Sequence, residues 1–535
     1  MKKLPIGIQT FSEIINENYY YIDKTEVLYR LTESGKYYFL SRPRRFGKSL
    51  FLDTLKDAFS GNKELFRGLY LENNWDWSVK YPVIKIDFGG GVHKDPTILE
   101  KYIQEILKER AKLDSIPLQN ETIGGIFREL IIGLETKYTK KVVILVDEYD
   151  KPILDNITES ERAKEMRDIL RNLYSVIKIS DAHIKFVFIT GVSKFSKVNL
   201  FSGLNNILDI TLDNRYSSIC GYTEAELIVF QDRLEGVNRE ELKSWYNGYN
   251  FIGDKVYNPY DILLFLDQKI YKNYWCQTGN PTFLIDLIQK NQYSIPAIET
   301  INLSELHFSS FDIDSISVEN LLFQTGYLTI DTVKQMGGST FYSLCYPNRE
   351  VRQSLTDGIL NSLSHSVTPK ENAKLALLAS LEEGNISKLK SIFHTFFASI
   401  PHDCYRKNQL AGYEAYYVSI FYSYFTAIGL DVRAEDSTNV GQADMVVFLQ
   451  NKVFVFEFKV IELTEKGSAL EQIKEKKYYE KYLSSSVGDR YAYHQQGDAS
   501  SKDDQKREIY LIGVEFSKLE RNITNFAWER LESSY

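Results

Sequence analysis

Cysteine is scarce in this chain: four residues in 535, Cys220, Cys276, Cys345 and Cys404, with no C-x-x-C pair. That spacing suggests neither a disulfide framework nor a zinc site, and a reduced compartment is the default expectation. Histidine is nearly as rare, seven in all and no H-E-x-x-H, so structural histidines are expected. No stretch approaches the roughly 18 apolar residues a membrane span needs. The amino-terminal Met1-Lys2-Lys3-Leu4-Pro5-Ile6-Gly7 meets proline and glycine before an apolar signal core can form. A cytoplasmic location without a membrane partner is therefore expected. Positive charge is also limited. A net charge of -8 argues against a broadly basic nucleic-acid coat, so any such contact must be confined to a local groove. What remains, 43% hydrophobic and 25% charged, is the composition of a soluble protein with several cores.

The stretch that organises the chain is Ser41-Arg42-Pro43-Arg44-Arg45-Phe46-Gly47-Lys48-Ser49-Leu50. It follows the apolar run Tyr37 to Leu40 and enters a segment with helical spacing, the strand, loop and helix context of a phosphate-binding loop. Gly47 lets the backbone approach a phosphate, and the amides of residues 45 to 49 sit at the positive start of a helix. Lys48 reaches β and γ oxygens, and Ser49 holds Mg²⁺. In G-x-x-x-x-G-K-[ST] the first glycine falls where this chain has Arg42, so the turn is made differently. The expected nucleotide residues are Arg44, Arg45, Phe46, Gly47, Lys48, Ser49 and Leu50, joined by Asp147 and Thr190.

Val142-Val143-Ile144-Leu145-Val146-Asp147-Glu148 is the second feature, an apolar run that predicts a strand buried on both faces. Its acids fall at the carboxyl end, where open α/β sheets place ligands. Asp147 can orient Mg²⁺, and Glu148 can take a proton from the attacking water. The plainer alternative is a strand ending in a solvated acidic turn, Asp147 to Asp150. Another buried strand, Ile184 to Gly191, ends in Thr190 and is followed by Ser193; either hydroxyl can sense a γ-phosphate, or both can belong to an ordinary turn. With Tyr81 to Phe88 and Ile207 to Thr211, these strands predict a five-stranded parallel sheet. No N-K-x-D follows the acidic strand, which favours ATP over GTP.

Residues 221–400 read as mostly helical, including Thr223 to Leu234, with one hairpin around Gly337-Gly338, a pattern that suits a winged-helix module or a lid. A second chemistry follows. Tyr413 to Ile428 predicts a helix carrying Glu414; strands then hold Asp444 and Glu457-Phe458-Lys459. Strand period two puts Glu457 and Lys459 on one face and Phe454, Phe456 and Phe458 on the other. Asp444 and Glu457 can share one or two divalent cations, Lys459 can orient a water, and Glu414 can complete the ligand set. The alternative is an amphipathic hairpin on which Glu457 and Lys459 form an exposed pair.

Pro43 to Leu50, Val146-Asp147-Glu148-Tyr149-Asp150, Thr190 to Ser196 and Tyr246-Asn247-Gly248-Tyr249 resemble the bacterial AAA-ATPase-like family. Asp444, Glu457-Phe458-Lys459 and Ala469 to Lys474 resemble the PD-(D/E)XK nuclease domain that this family commonly carries, with Ala443 where the name has proline and Gln472 facing phosphate or water, or solvent. The resemblance implies an α/β chain: a P-loop parallel-sheet ATPase domain over 1–220, a helical or winged-helix region over 221–400, and a restriction-endonuclease-like α/β domain over 401–535. It implies ATP with Mg²⁺, Mn²⁺ being admissible at the nuclease site, and nucleic acid as partner, DNA ahead of RNA. Self-association into a homo-oligomer stays open. The function expected is an ATP-gated nuclease; the alternative is a nucleotide-controlled switch that binds protein or nucleic acid without cleavage.

Overall fold

The computed structural model describes residues 2–194, 206–275, 293–309, 317–363, 367–400, 414–438, 441–462, 468–483 and 507–531, with a few positions between 284 and 291. By packing, the chain forms two compact units, one of Met1–Tyr274 with Asn302–Asn348, the other of Trp275–Ile301 with Arg349–Tyr535. No helix among the described residues is long and apolar enough to cross a membrane.

The first unit is built on five parallel strands: β1 (Tyr37–Ser41), β2 (Val83–Asp87), β3 (Val142–Asp147), β4 (Ile184–Gly191) and β5 (Leu208–Asp209), in the order β2-β3-β4-β1-β5. β1 and β3 are buried at every position, as uninterrupted apolar runs require when helices cover both faces. Between the strands run α1 (Lys48–Phe59), α2 (Pro96–Leu113), α3 (Ile123–Tyr138) and α4 (Ser160–Ile179). The register sets Asp87 beside Asp147 and Ser41 beside Gly191, so the acids and the start of the phosphate loop share the carboxyl edge of the sheet.

Two details depart from the sequence expectation. The fifth strand is only two residues long, and Thr223 to Leu234 forms a 3₁₀ helix over Glu226–Arg233 with non-helical angles at Phe230. The hairpin is present. α5 (Val318–Thr325), capped by the Ser317 hydroxyl, stops at Gly326 with φ +90°, and β6 (Thr329–Met336) turns into β7 (Ser339–Cys345) through Gly337 and Gly338. Both turn glycines have positive φ, 59° and 81°, as a two-residue type I′ turn demands. A short strand, Asn302–Ser304, pairs with β7. The described residues of the middle of the chain are thus helical with two small antiparallel sheets, this one and the pairing of Tyr222–Thr223 with Val256–Tyr257.

The second unit carries α6 (Glu414–Ala427) and a mixed sheet of β8 (Asp431–Ser437), β9 (Gln442–Leu449), β10 (Lys452–Val460), β11 (Glu508–Ser517) and β12 (Asn522–Leu531), in chain order. Only β10 and β11 run parallel. Phe421 and Phe425 of α6 meet Phe456 and Phe458 on one face. On the other, Ile473 of α7 (Ala469–Lys476) joins Val446, Val455 and Leu511 in a buried cluster. Alternation along β10 therefore sends Phe456 and Phe458 toward α6, and Glu457 and Lys459 to the α7 side.

Candidate functional sites

The phosphate loop leaves β1 and turns on two left-handed residues, Arg45 at φ 67° and Gly47 at φ +91°. Alternating hand makes successive amides converge, a concavity suited to an anion at the start of α1. Nothing lies within 4 Å of where a Gly47 Cβ would stand, so the glycine is required by its backbone angle rather than by crowding. Lys48 is buried and donates from Nζ to the carbonyls of Arg42 and Pro43, both at 3.0 Å. Burial lowers its pKa, and Asp147 and Glu148 act in the opposite direction. Arg44 is exposed, and Ser49 and Leu50 are half-buried on the first turn of α1. The Arg45 guanidinium lies 3.9 Å above the Tyr260 ring, and Phe46 is turned into the core against Tyr249. What these two residues offer a phosphate is main-chain N–H.

The acids beyond β3 are not a solvated turn: Asp147 and Asp150 are each 1% exposed. Thr190 Oγ1 donates to Asp147 Oδ1 at 2.6 Å, and the Glu148 N–H reaches the same oxygen at 3.0 Å. Ser193 does something different. Its hydroxyl and amide bond Asp150 Oδ2 at 2.5 and 2.6 Å, tying down the turn. Of the two candidate sensors, Thr190 is the one in contact with Asp147. Burial raises the Glu148 pKa, Lys48 opposes it, and Asp147, Asp150 and Asp87 add to it.

Asp87, absent from the sequence expectations, also borders this site. Its Oδ1 and Glu148 Oε2 flank Gly89, at 2.9 and 3.3 Å from where a Cβ would fall. The available signal was an aspartate ending a strand before Gly89-Gly90-Gly91.

In the second unit Asp444 stands one position beyond the last paired rung of β9 and β10, Met445 opposite Phe456. The strands part there, and Asp444 Oδ2 accepts the Phe458 N–H at 2.7 Å. Glu457 is 3% exposed, which rules out the exposed-pair reading; Gln472 from α7 donates to its Oε1, and its Oε2 is buried without a partner. Burial holds both carboxyls well above the ordinary carboxylate range. Each is raised further by Glu414 and lowered by Lys459, and Asp444 also raises Glu457. Glu414 is itself raised by burial and relieved by Lys459, so all four groups share one field. They do not form a finished metal cage: among the described residues no three His, Cys, Asp or Glu groups converge as a ligand set. The orphan Glu457 oxygen and two carboxyls whose charged forms burial disfavours still fit a hard divalent cation that keeps most of its waters and would supply the missing positive charge.

A family model described as "Predicted AAA-ATPase" matches residues 5–201, and one for the PD-(D/E)XK nuclease superfamily matches residues 412–526. A protein of Azotobacter chroococcum mcd 1, described as "Uncharacterized protein in vnfD 5'region", is 48% identical over 532 residues, covering 99% of each chain. The chain belongs to the AAA-ATPase-like family and carries a PD-(D/E)XK nuclease superfamily domain toward its carboxyl end.

Proposed function

We propose that the chain binds and hydrolyses ATP and couples that cycle to metal-dependent cleavage of phosphodiester bonds in nucleic acid. The reading is supported by two clusters in which a lysine acts electrostatically on carboxylates, Lys48 with Asp147 and Glu148, and Lys459 with Asp444 and Glu457. In the first, amides of residues 45 to 49 and Lys48 hold the phosphates, Ser49 and Asp147 hold Mg²⁺, Thr190 keeps Asp147 oriented, and Glu148 accepts a proton from water. Both hydrogen bonds described to Asp147 fall on Oδ1 and hold the carboxylate in one orientation.

In the second site a divalent cation would neutralise charge at the scissile phosphate and lower the pKa of a bound water. Asp444 and Glu457 would hold it, Gln472 would keep Glu457 aimed, and Lys459 would balance charge that develops during cleavage. DNA is proposed ahead of RNA. The division into an ATPase region over 1–220, a middle region over 221–400 and a nuclease region over 401–535 is part of the same proposal.

A second reading, a nucleotide-controlled switch that binds protein or nucleic acid without cutting, draws support from the lack of a three-group ligand set among the described residues. Titration of Mn²⁺ into the parent chain, Asp444→Ala and Glu457→Ala separates the two. A nuclease site takes up metal that each substitution abolishes. Equal uptake by all three chains refutes metal at this place.

A further inference from the structure

The phosphate loop is gripped by residues far along the chain. The Arg42 guanidinium, fully buried, lies 3.8 Å from the centre of the Phe251 ring and donates to the carbonyls of Ser41, Thr211, Tyr216 and Ser217. Phe46 meets Tyr249 edge-on at 4.7 Å and Phe251 at 6.0 Å. Pro43 abuts Gly326, where a Cβ would come within 2.7 Å of the proline Cβ.

Tyr249 and Phe251 belong to one turn, and that turn is itself seated. Gly248 has φ +120°, and a Cβ there would collide with the Pro347 carbonyl, so only glycine fits. Asn250, between the two rings, donates its N–H to Thr329 Oγ1 at 2.7 Å.

The consequence for chemistry runs through Lys48. Its two acceptors are the carbonyls of Arg42 and Pro43, the residues that Phe251 and Gly326 touch. A loop that lacks the usual first glycine has an arginine side chain buried beneath it, and that side chain is clamped by a ring face.

We infer that Phe251 and Tyr249 are positioning residues for nucleotide binding: through Arg42 and Phe46 they set the path of the loop that carries Lys48 and the phosphate-facing amides. The inference rests on the ATP-site reading. An aromatic cluster that merely fills the core would be indifferent to nucleotide.

The test compares Phe251→Leu, which removes the aromatic face, with Phe251→Tyr, which keeps it, in the full chain. With a fluorescent ATP analogue and steady-state kinetics, the leucine variant should raise Kd and KM about tenfold, with kcat within about twofold, and tyrosine should restore the parent values. Parent-like affinity in the leucine variant overturns the inference. Should leucine prevent folding, Phe251→Trp reports instead. Its emission, taken as a difference from the parent, should change on adding Mg-ATP and stay constant in a Lys48→Ala background; no change on Mg-ATP overturns the inference. Failure of the parent itself to bind the analogue defeats the ATP reading, which is a separate result.

Discussion

Thr190 and Asp147 are joined across adjacent strands by a 2.6 Å hydrogen bond between two fully buried side chains. The hydroxyl donates to Oδ1, fixing the carboxylate's rotation at the place where magnesium is proposed to sit. A hydrogen bond to a charged group contributes roughly 1.5–3 kcal/mol. Thr190→Val keeps the shape and removes the donor. Hydrolysis of ATP should fall about tenfold or more, with a raised Mg²⁺ requirement, while Thr190→Ser retains activity; magnesium titrations of steady-state turnover check this.

Glu148→Gln should keep ATP affinity and lose turnover by roughly 10²–10⁴-fold, the range of a missing general base. The parent's pH profile carries a second expectation. Burial raises the Glu148 pKa, so the basic form is present only above that raised value. Turnover should therefore fall on the acid side at a pH above the ordinary glutamate range, and kcat measured against pH shows where.

Asp444 and Glu457 predict an unusual stability profile. Burial raises both pKa values in the folded chain, so between the ordinary carboxylate range and the raised values the folded state holds more protons than the unfolded one. The sign follows: without metal, their contribution to stability falls as pH rises through that window. A divalent cation replaces those protons and reverses the loss. Thermal melts in chelator and in Mn²⁺ should diverge as pH increases, the chelated sample melting lower; parallel curves would contradict proton–metal competition at this pair.

Gly191 closes β4 directly over the acidic turn. A Cβ there would lie 2.4 Å from the Tyr149 ring and 2.5 Å from Asp150 Oδ1, both buried. Gly191→Ala should destabilise the chain by about 1–3 kcal/mol, the usual range for overpacking a core, read as a lower urea midpoint.

Most of the scaffold was legible because its signals are local. The buried runs of β1, β3 and β4, the Gly337-Gly338 turn and the alternation along β10 each follow from a few neighbouring residues. α3 has no counterpart among the sequence expectations, although Ile126, Phe127, Leu130, Ile131 and Leu134 bury one helical face. The sequence pointed to Lys48, Asp147, Glu148, Asp444, Glu457 and Lys459 as charged groups. Their surroundings were not readable. That Asp87 borders Glu148 depends on β2 pairing with β3, and that Phe251 lies over Arg42 depends on a contact 209 positions apart in numbering. Long-range pairing of this kind leaves no periodic trace in a single chain.

Whether two chemistries occupy two separate places is decided by one paired measurement: ATP turnover and DNA or RNA cleavage, assayed with Mg²⁺ and Mn²⁺ on the same preparations of Lys48→Ala and Lys459→Ala. Lys48→Ala should stop hydrolysing ATP, whereas Lys459→Ala should hydrolyse ATP normally and no longer cut nucleic acid. A Lys459→Ala chain that cuts as the parent does would contradict this separation.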